Sequence, residues 1–288
     1  MSLAVLKSSP VAETEGIYHG LSAEYYHAAK GVSHSMLKHL HPTPAHLQTY
    51  LSEKHEPTPE QLFGTLVHHK VLEPNRPLPQ IAIKTKAIDF KTTAGKEWRE
   101  AQKAAGRLIV TETEFQDIDG CVNAIAQHPF CRKIFAVGES EVSIFKRYTL
   151  GGTVLRKARL DWIPEGNALV DVKTTKDASP EAFAKEVLNW RYHSQAAYYL
   201  DIVNDSLERP TKECFIFVAV EKKPPYAVAI YNLVPKAIGK GRALNIADLA
   251  TYIECSQSNH WPAYSPEPAM LDLPRFAYKE AHEVSFSC

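Results

Sequence analysis

Cysteine, charge imbalance and long apolar runs are all scarce in this sequence, and each scarcity excludes a class of protein. The 5 cysteines are scattered over 288 residues, and no two form a C-x-x-C pair. This spacing argues against an iron–sulfur cluster, a structural zinc site and a disulfide framework, and it suits a reducing cytoplasm. No stretch approaches the roughly 18 consecutive apolar residues of a membrane-spanning helix. Residues 1–16 have no basic leader, so we expect no signal peptide and no membrane contact.

The net charge does not indicate a class of binding partner, because the sequence has 33 basic and 33 acidic residues. Proteins that bind nucleic acids commonly carry a basic excess, so composition alone does not indicate such a partner. Contacts with phosphates would have to come from local basic clusters, whose charge an acidic metal centre would offset in the total. Such clusters are more often solvated surface than binding sites. The candidates are Arg156-Lys157-x-Arg159, Lys84-x-Lys86, Lys222-Lys223 and Lys236…Lys240-x-Arg242.

Hydrophobic periodicity predicts a helical N-terminal portion at about residues 16–130 and an α/β core at about residues 131–255, followed by an irregular proline-rich tail. We expect one domain over residues 1–288, with a mixed central sheet flanked by helices. The predicted helices cover 33–52 (broken at Pro42 and Pro44), 58–72, 94–105, 112–127, 179–201 and 235–255. The predicted strands cover 81–83, 141–150, 153–163, 168–174, 214–220 and 227–234.

One segment of the core combines charges with an apolar strand. Side chains alternate across a strand, so Asp171 and Lys173 share one face of the strand 168–174. A short turn places Asp161 on the preceding antiparallel strand, where it can face the same site. Neighbouring carboxylates repel each other unless a cation lies between them, and Mg²⁺ binds carboxylates together with substrate phosphates. A lysine beside such an ion can position or activate a water molecule. These groups suffice to hydrolyse a phosphodiester.

The alternative interpretation is an ordinary ion pair on a surface strand, which an isolated Asp-x-Lys usually forms. Residues 168–170 are all apolar, however, which indicates that the strand is central and buried. Buried charges are costly unless they are paired or bind a cation. Together with Asp161, the pattern therefore favours a catalytic centre.

Four segments have the order and the residue types of a known set of motifs. They are Gly64-Thr-Leu-Val-His68, Glu141-Val-Ser-Ile-Phe, Asp171-Val-Lys173-Thr-Thr and Arg191-Tyr-His-Ser-Gln195-Ala-Ala-Tyr-Tyr199. Over about residues 16–235, this set resembles the PD-(D/E)XK nuclease superfamily. More narrowly, it resembles the RecB- and RecE-like branch, and within that branch the nuclease domain of RecE-like exonuclease VIII. Each motif alone is a weak signal, whereas their common order is a strong one.

The resemblance implies a restriction-endonuclease-like core and a Mg²⁺-dependent exonuclease, with Mn²⁺ as a substitute ion. Such enzymes degrade linear double-stranded DNA from 5′ to 3′ and leave 3′ single-stranded tails for recombination. They form ring-shaped homo-oligomers and work with a RecT-like single-strand annealing protein in bacterial or phage-infected cells. Two alternatives stay open: a single-strand or structure-specific endonuclease of the same fold, and a catalytically silent DNA-binding module.

The resemblance also assigns roles to individual residues. Asp161, Asp171 and His68 are the expected metal ligands, and Lys173 is expected to position the attacking water. Glu141 is expected to bind a metal or to position a water, with an exposed acid at a strand edge as the alternative. A histidine on an otherwise apolar helix is more often a core residue, so a structural role for His68 is the competing interpretation.

The last motif adds a second group of candidates. Gln195 and Tyr199 are four residues apart and share a helix face, where they could hold the catalytic lysine or a DNA phosphate. A buried hydrogen-bonding pair is the alternative. Arg191 and His193 of this motif, and Arg159 of a basic cluster, are the expected contacts to DNA phosphates, because guanidinium groups bind phosphate bidentately.

Overall fold

A computed structural model describes residues 14–53, 55–209 and 211–274 of the chain. The expectation about a leader falls almost wholly outside this part, as does Cys288; the other four cysteines are free thiols. None of the described helices is long and apolar enough to cross a membrane. The described α-helices are α1 (Ala23–Ala28), α2 (His34–Leu37), α3 (Pro44–Ser52), α4 (Pro59–Leu72), α5 (Thr93–Ala104), α6 (Glu112–Gln127), α7 (Pro129–Ile134), α8 (Pro180–Asn189), α9 (Tyr192–Asn204) and α10 (Pro235–Ser258).

The described strands form two sheets. They are β1 (Gly16–Tyr18), β2 (Ile81–Lys84), β3 (Leu108–Thr111), β4 (Gly138–Thr149), β5 (Thr153–Pro164), β6 (Ala168–Thr175), β7 (Cys214–Glu221) and β8 (Val228–Asn232). Six strands make a central sheet in the order β1-β4-β5-β6-β7-β8. All its neighbouring strands are antiparallel except β6 and β7, which are parallel and connected through α8 and α9. The strands β2 and β3 form a separate parallel pair connected through α5.

Different helices cover the two faces of the central sheet. One face packs against α2, α3, α9 and α10, and its core includes Leu169. The other face packs against α4 and α6, and its core includes Val170 and Val172. Alternate residues of β6 therefore enter opposite cores, as the strand period requires. Asp171 and Lys173 share the face of Leu169, which is directed toward α9.

The helix α4 begins at a strong start signal. The Thr58 side chain accepts a hydrogen bond from the Gln61 N–H, and the Gln61 side chain accepts one from the Thr58 N–H, which makes a complete capping box. Pro59 occupies the first helical position, where the missing N–H has no consequence. Phe63 and Val67 are buried against the sheet. This packing brings His68, on the next turn, to the edge of β6.

The predicted mixed α/β fold is confirmed, and one predicted element is wrong. Residues 179–201 were expected to form one helix, but α8 ends at Asn189 and α9 begins at Tyr192. Arg191 between them has a φ of 59°, in the left-handed region, where a helix cannot continue. The elements β1, α1, β3 and α7 were not predicted. Each has only three to six residues, too few for a recognisable period.

Candidate active site

Asp171 and Lys173 form an ion pair on the buried strand β6. The Lys173 Nζ lies 2.6 Å from the Asp171 Oδ2, and only 1% of Asp171 is exposed. The other oxygen, Oδ1, accepts a hydrogen bond of 2.7 Å from the Gln195 Nε2 of α9. Each oxygen of this carboxylate therefore faces a neighbouring side chain that carries a donor.

The backbone ladder between β5 and β6 is interrupted at Asp161 on β5, which leaves an opening in the central sheet. Trp162 and Val170 pair across β5 and β6, but further along β6 the Val172 N–H donates to the Asp161 Oδ2 at 2.9 Å. The carboxylate thus takes the place of a backbone carbonyl. On the other side of β5, the ladder with β4 is interrupted at Glu141, which stands across from Asp161 with a φ of 54°. A glutamate in this conformation is strained, and such strain is concentrated at functional sites.

His68 reaches the opening from α4. Its Nε2 lies 2.6 Å from the backbone carbonyl oxygen of Val172. A carbonyl oxygen only accepts, so Nε2 carries the proton, and the neutral ring has its lone pair on Nδ1. The Nδ1 lies 3.5 Å from the Asp161 Oδ2. The hydrogen bond to Val172 therefore turns the free nitrogen of the imidazole toward the carboxylates, as second-sphere contacts do for metal-binding histidines.

The donor atoms in this opening fit a divalent metal ion. One ligand atom from each of His68, Glu141 and Asp161 lies within 4.8 Å of the others. Burial raises the pKa of Asp161 to about 7, and the charge of Asp171 acts in the same direction. In the described part of the chain, Glu141 pairs with Arg159, but no lysine or arginine pairs with Asp161. Two carboxylates and an imidazole, with one negative charge uncompensated, suit Mg²⁺ or Mn²⁺. Asp171, the third expected ligand, is not in this group.

The Lys173 side chain keeps its proton at neutral pH. Its Nζ lies 4.6 Å from the centroid of the Tyr192 ring and 6.0 Å from that of Phe217. Burial alone would lower the pKa of Lys173, but interactions with Asp171, Tyr192 and Asp161 outweigh it, and the pKa lies above its ordinary value. The ammonium group can therefore donate to a water or to a phosphate oxygen, but it cannot accept a proton.

Gln195 and Tyr199 share a helix face as predicted, and their side chains are hydrogen-bonded to each other, which is the alternative stated above. Gln195 holds Asp171, the partner of the lysine, rather than the lysine itself. The Tyr199 ring packs against Phe215 with centroids 6.2 Å apart. Burial raises the pKa of Tyr199 well above its ordinary value, so it remains a neutral phenol.

The three expected phosphate contacts are engaged inside the protein. Arg159 donates to Glu141, and Arg191 donates to Asp248 of α10. His193 is 6% exposed, and its Nδ1 lies 3.1 Å from a backbone carbonyl oxygen of α8. Contact with DNA stays a prediction for all three residues. The geometry favours a structural role for His193, because the side chain is almost wholly buried.

Lys38 and Tyr192 adjoin the site although the sequence reasoning did not single them out. Burial lowers the pKa of Lys38, and the charges of Lys173 and Arg191 lower it further. No carboxylate pairs with Lys38 in the described ranges. Lys38 therefore adds a cation without a carboxylate partner beside the Asp171–Lys173 pair, which favours an anion there. Tyr192 lies inside the last motif, so its place in the motif was an available signal; Lys38 had none that distinguished it from other lysines.

Two solved structures are similar to this chain at low sequence identity. A protein from Eubacterium rectale, provisionally named an exonuclease, has a TM-score of 0.58 and 15% identity, over 84% of this chain and 88% of that chain. An alkaline exonuclease from Laribacter hongkongensis has 13% identity over 69% of this chain and 97% of that chain, with a TM-score of 0.29. At such identities, the first likeness shows the fold alone. A search of curated proteins gave no match.

The sequence itself matches a family over most of its length. Residues 33–274 fit the family described as a PDDEXK-like domain of unknown function (DUF3799). The matched range includes every residue of the opening in the sheet, from His68 on α4 to Gln195 on α9. The PD-(D/E)XK fold expected from the motifs is thereby confirmed, and the chain belongs to this PDDEXK-like family.

Proposed function

We propose that this protein is a divalent-metal-dependent DNA exonuclease that hydrolyses phosphodiester bonds at the ends of linear duplexes. The observation that carries the proposal is the placement of the Asp171–Lys173 ion pair beside the group formed by His68, Glu141 and Asp161. An anion-binding lysine next to a cation-binding group is what phosphodiester hydrolysis requires. The membership of a PDDEXK-like family supports the same reaction.

The residues have separate roles in this proposal. His68, Glu141 and Asp161 would hold the metal ion, which supplies positive charge near the scissile phosphate and lowers the pKa of a bound water. Lys173 donates to the attacking water or to a phosphate oxygen and stabilises the charge that develops in the transition state. Asp171 keeps Lys173 protonated and in place, and the hydrogen bond from α9 fixes Asp171 in turn.

Attack from the 5′ end is supported by the cations beside the pair. Lys38 and Arg191 lie close enough to Lys173 for their charges to affect one another. We assign Lys38, which has no carboxylate partner in the described ranges, to the terminal 5′-phosphate, so a duplex with 5′-phosphates should be degraded faster than one with 5′-hydroxyl ends. The variant Lys38→Ala should reduce this difference. If the unmodified protein degrades the 5′-phosphate and the 5′-hydroxyl duplexes at equal rates, the 5′-to-3′ polarity is contradicted.

The decisive substrate experiment compares duplexes with and without ends. End-labelled linear duplex and covalently closed circular duplex are incubated with Mg²⁺, with Mn²⁺ and with EDTA. We expect digestion of the linear duplex with either ion, no digestion in EDTA, and survival of the circles. Rapid nicking of the circles would favour the structure-specific endonuclease instead. DNA binding without cleavage under all conditions would favour the silent module.

A matched pair of variants tests the centre. Asp171→Asn keeps the shape and the oxygen that accepts from Gln195 but removes the charge that holds Lys173. Turnover should fall by about 10²–10³-fold, the scale of losing one preorganised electrostatic contact. The control is Asp201→Asn, which removes the charge from an ion pair with Arg242 outside the site. Near-normal turnover of the Asp171 variant would remove this carboxylate from the mechanism.

The ring-shaped homo-oligomer, the RecT-like annealing protein and the role in recombination rest on the resemblance alone. Light scattering of the purified protein measures the first of these directly. A mass of about one chain would contradict the ring without affecting the proposed chemistry.

A further inference from the structure

The unit β2–α5–β3, residues 81–111, is basic in a chain that is neutral overall. It contains seven lysines and arginines against three acids, a net charge of +4, whereas the net charge of the whole chain is 0. The remaining residues are therefore acidic overall. Its cations are Lys84, Lys86, Lys91, Lys96, Arg99, Lys103 and Arg107.

Most of these cations have no acidic partner. Within residues 14–53, 55–209 and 211–274, Lys103 pairs with Glu56 at 2.9 Å, but no other lysine or arginine of the unit has a salt bridge. The basic cluster at residues 156–159 is the opposite case, because Arg156 pairs with Asp205 and Arg159 with Glu141. Six of the seven cations of the unit are therefore without a salt bridge in the described ranges.

Two of the free cations meet at one aromatic ring. The Lys84 Nζ lies 5.1 Å from the centroid of the Phe90 ring, and the Arg99 Cζ lies 5.4 Å from it. Trp98 stacks beside the same ring, with centroids 6.3 Å apart and an angle of 28° between the planes. Cations beside aromatic rings are typical of surfaces that bind nucleic acid.

A cleft of about 590 Å³ lies between this unit and α4. Its apolar lining includes Leu62, Phe63 and Leu108, and its cations include Lys84 and Arg99. We call this cleft, with these five residues, the basic cleft. The first turns of α4 line it, and His68 follows on the same helix about 8 Å further along the axis, at ~1.5 Å per residue. One rigid element thus joins the basic cleft to the proposed metal site.

The two acids of the basic cleft do not cancel its charge. The lining has four cations, Lys84, Arg99, Lys103 and Arg107, against Glu56 and Glu114, so its net charge stays positive at +2. An apolar lining with cations at its edge matches a strand whose bases are unpaired, since a duplex hides its bases and would leave the apolar residues without a partner.

We propose that the basic cleft binds single-stranded DNA, with a phosphate at Lys84 and Arg99 and an unpaired base against Leu62 and Phe63. This inference rests on the proposed function for its biological role, because an enzyme that removes one strand produces the other unpaired. The bound strand would be steered along α4 toward or away from the metal site. Binding itself requires no cleavage and can be measured separately.

The test is a binding experiment in EDTA with a fluorescein-labelled thymidine 20-mer. The double variant Lys84→Ala/Arg99→Ala should bind at least about 10-fold more weakly, and its salt dependence should be shallower by about 0.7 for each lost phosphate contact. The control Lys185→Ala/Lys240→Ala removes two exposed cations of α8 and α10 and should change the affinity less than 2-fold. Equal affinities of the two double variants would overturn the proposal.

Two further measurements separate the possible failures. Poly-glutamate of the same length should not compete with the 20-mer; if it competes equally, the cleft is a site for acidic protein segments instead. Hydrolysis of bis(p-nitrophenyl) phosphate, a small diester that occupies only the metal site, should be unchanged in the Lys84→Ala/Arg99→Ala variant. If the protein cleaves DNA but the two double variants bind the 20-mer equally, only the proposal about the basic cleft is wrong. If the protein binds the 20-mer through the basic cleft but cleaves no DNA, only the proposed function is wrong.

Discussion

Asp171 is 1% exposed, and a carboxylate at that depth carries a desolvation cost that only charged or hydrogen-bonding neighbours can offset. The ion pair with Lys173 and the hydrogen bond from Gln195 provide this compensation. Removal of one member of a buried pair leaves the other uncompensated, at a cost of about 3–5 kcal/mol. Truncation to alanine would remove both the charge and the hydrogen bond. Asp171→Asn keeps the hydrogen bond but also leaves Lys173 without its counter-charge, so its turnover is to be measured per folded molecule, with urea unfolding alongside.

The two adjacent histidines of α4 make a matched comparison. His68 and His69 each contact a backbone carbonyl oxygen through Nε2, at Val172 and Pro77 respectively, but only His68 faces Asp161. Either alanine variant should lose about 1 kcal/mol of unfolding free energy with its hydrogen bond. Only His68→Ala should also lower turnover, by roughly 10²–10³-fold. Urea unfolding and turnover measured on both variants check this, and equal turnover in both would mean that His68 is a core residue.

Asp161 makes the stability of the metal-free protein depend on pH. Its pKa is about 7 in the folded protein against an ordinary value of 3.8. Between these values the folded state binds more protons than the unfolded state, so the free energy of unfolding decreases as pH rises from about 4 to about 7. The decrease is up to about 4 kcal/mol, since one pKa unit corresponds to ~1.4 kcal/mol. Urea unfolding in EDTA across this range measures it.

Asp161→Asn is the control for this pH dependence. The amide oxygen can still accept from the Val172 N–H, but nothing titrates, so the slope between pH 4 and 7 should flatten. Saturating Mg²⁺ should stabilise the unmodified protein most at the upper end of the range, because the ionised carboxylate is the form that binds it. An unchanged slope in the variant would assign the effect to another group.

Strand alternation predicted the positions of Asp171 and Lys173 correctly, because the two-residue period is local to β6. The detailed contacts were beyond such reasoning. The pairing of Glu141 with Arg159 depends on the register of β4 and β5 together. The protonated nitrogen of His68 depends on a carbonyl 104 residues away in the sequence.

At the scale of elements, the helices α9 and α10 touch where a glycine permits it. A Cβ at Gly241 of α10 would lie 2.1 Å from the His193 carbonyl oxygen of α9. Gly241→Ala should separate the helices and lower the unfolding free energy by about 1–3 kcal/mol. It should also weaken activity, because α9 carries Gln195.

Gly239 of the same helix is the control for this substitution. No neighbouring atom lies within 4 Å of a Cβ built there, so Gly239→Ala should raise stability by about 0.5–1 kcal/mol through helix propensity alone. Urea unfolding of both variants, with turnover measured alongside, gives the comparison. Destabilisation of similar size at both positions would mean that helix contact is not the reason.

Helices with caps were predicted closely from the sequence, as α4 illustrates with its Thr58-Pro59 start. The parallel pairing of β6 with β7 was not predictable in this way. Both strands are apolar and would fit several neighbours, and the pairing is decided by the crossover through α8 and α9. The break at Arg191 was also missed, since arginine is a good helix former, and only its place between two packed helices sets its conformation.

At the scale of the whole molecule, one sheet is shared by two hydrophobic cores. Val170 and Leu169 are neighbours on β6 and belong to different cores. Because both cores pack on the same strand, unfolding of β6 disrupts both. The single domain expected over residues 1–288 should therefore unfold in one cooperative transition. Scanning calorimetry should give equal calorimetric and van't Hoff enthalpies. Two resolved transitions would contradict a single domain.

The crossover between β6 and β7 also has a consequence for the chain as it leaves the ribosome. Synthesis proceeds from the N-terminus, so Asp161, Asp171 and Lys173 emerge before α9 and β7, which hold these charges in place. A nascent chain that ends near residue 190 has the reactive strand but neither Gln195 nor the neighbouring strand that shields it. We therefore expect the proposed hydrolytic activity to arise only after most of the polypeptide has been made, and a product truncated near residue 190 to lack it.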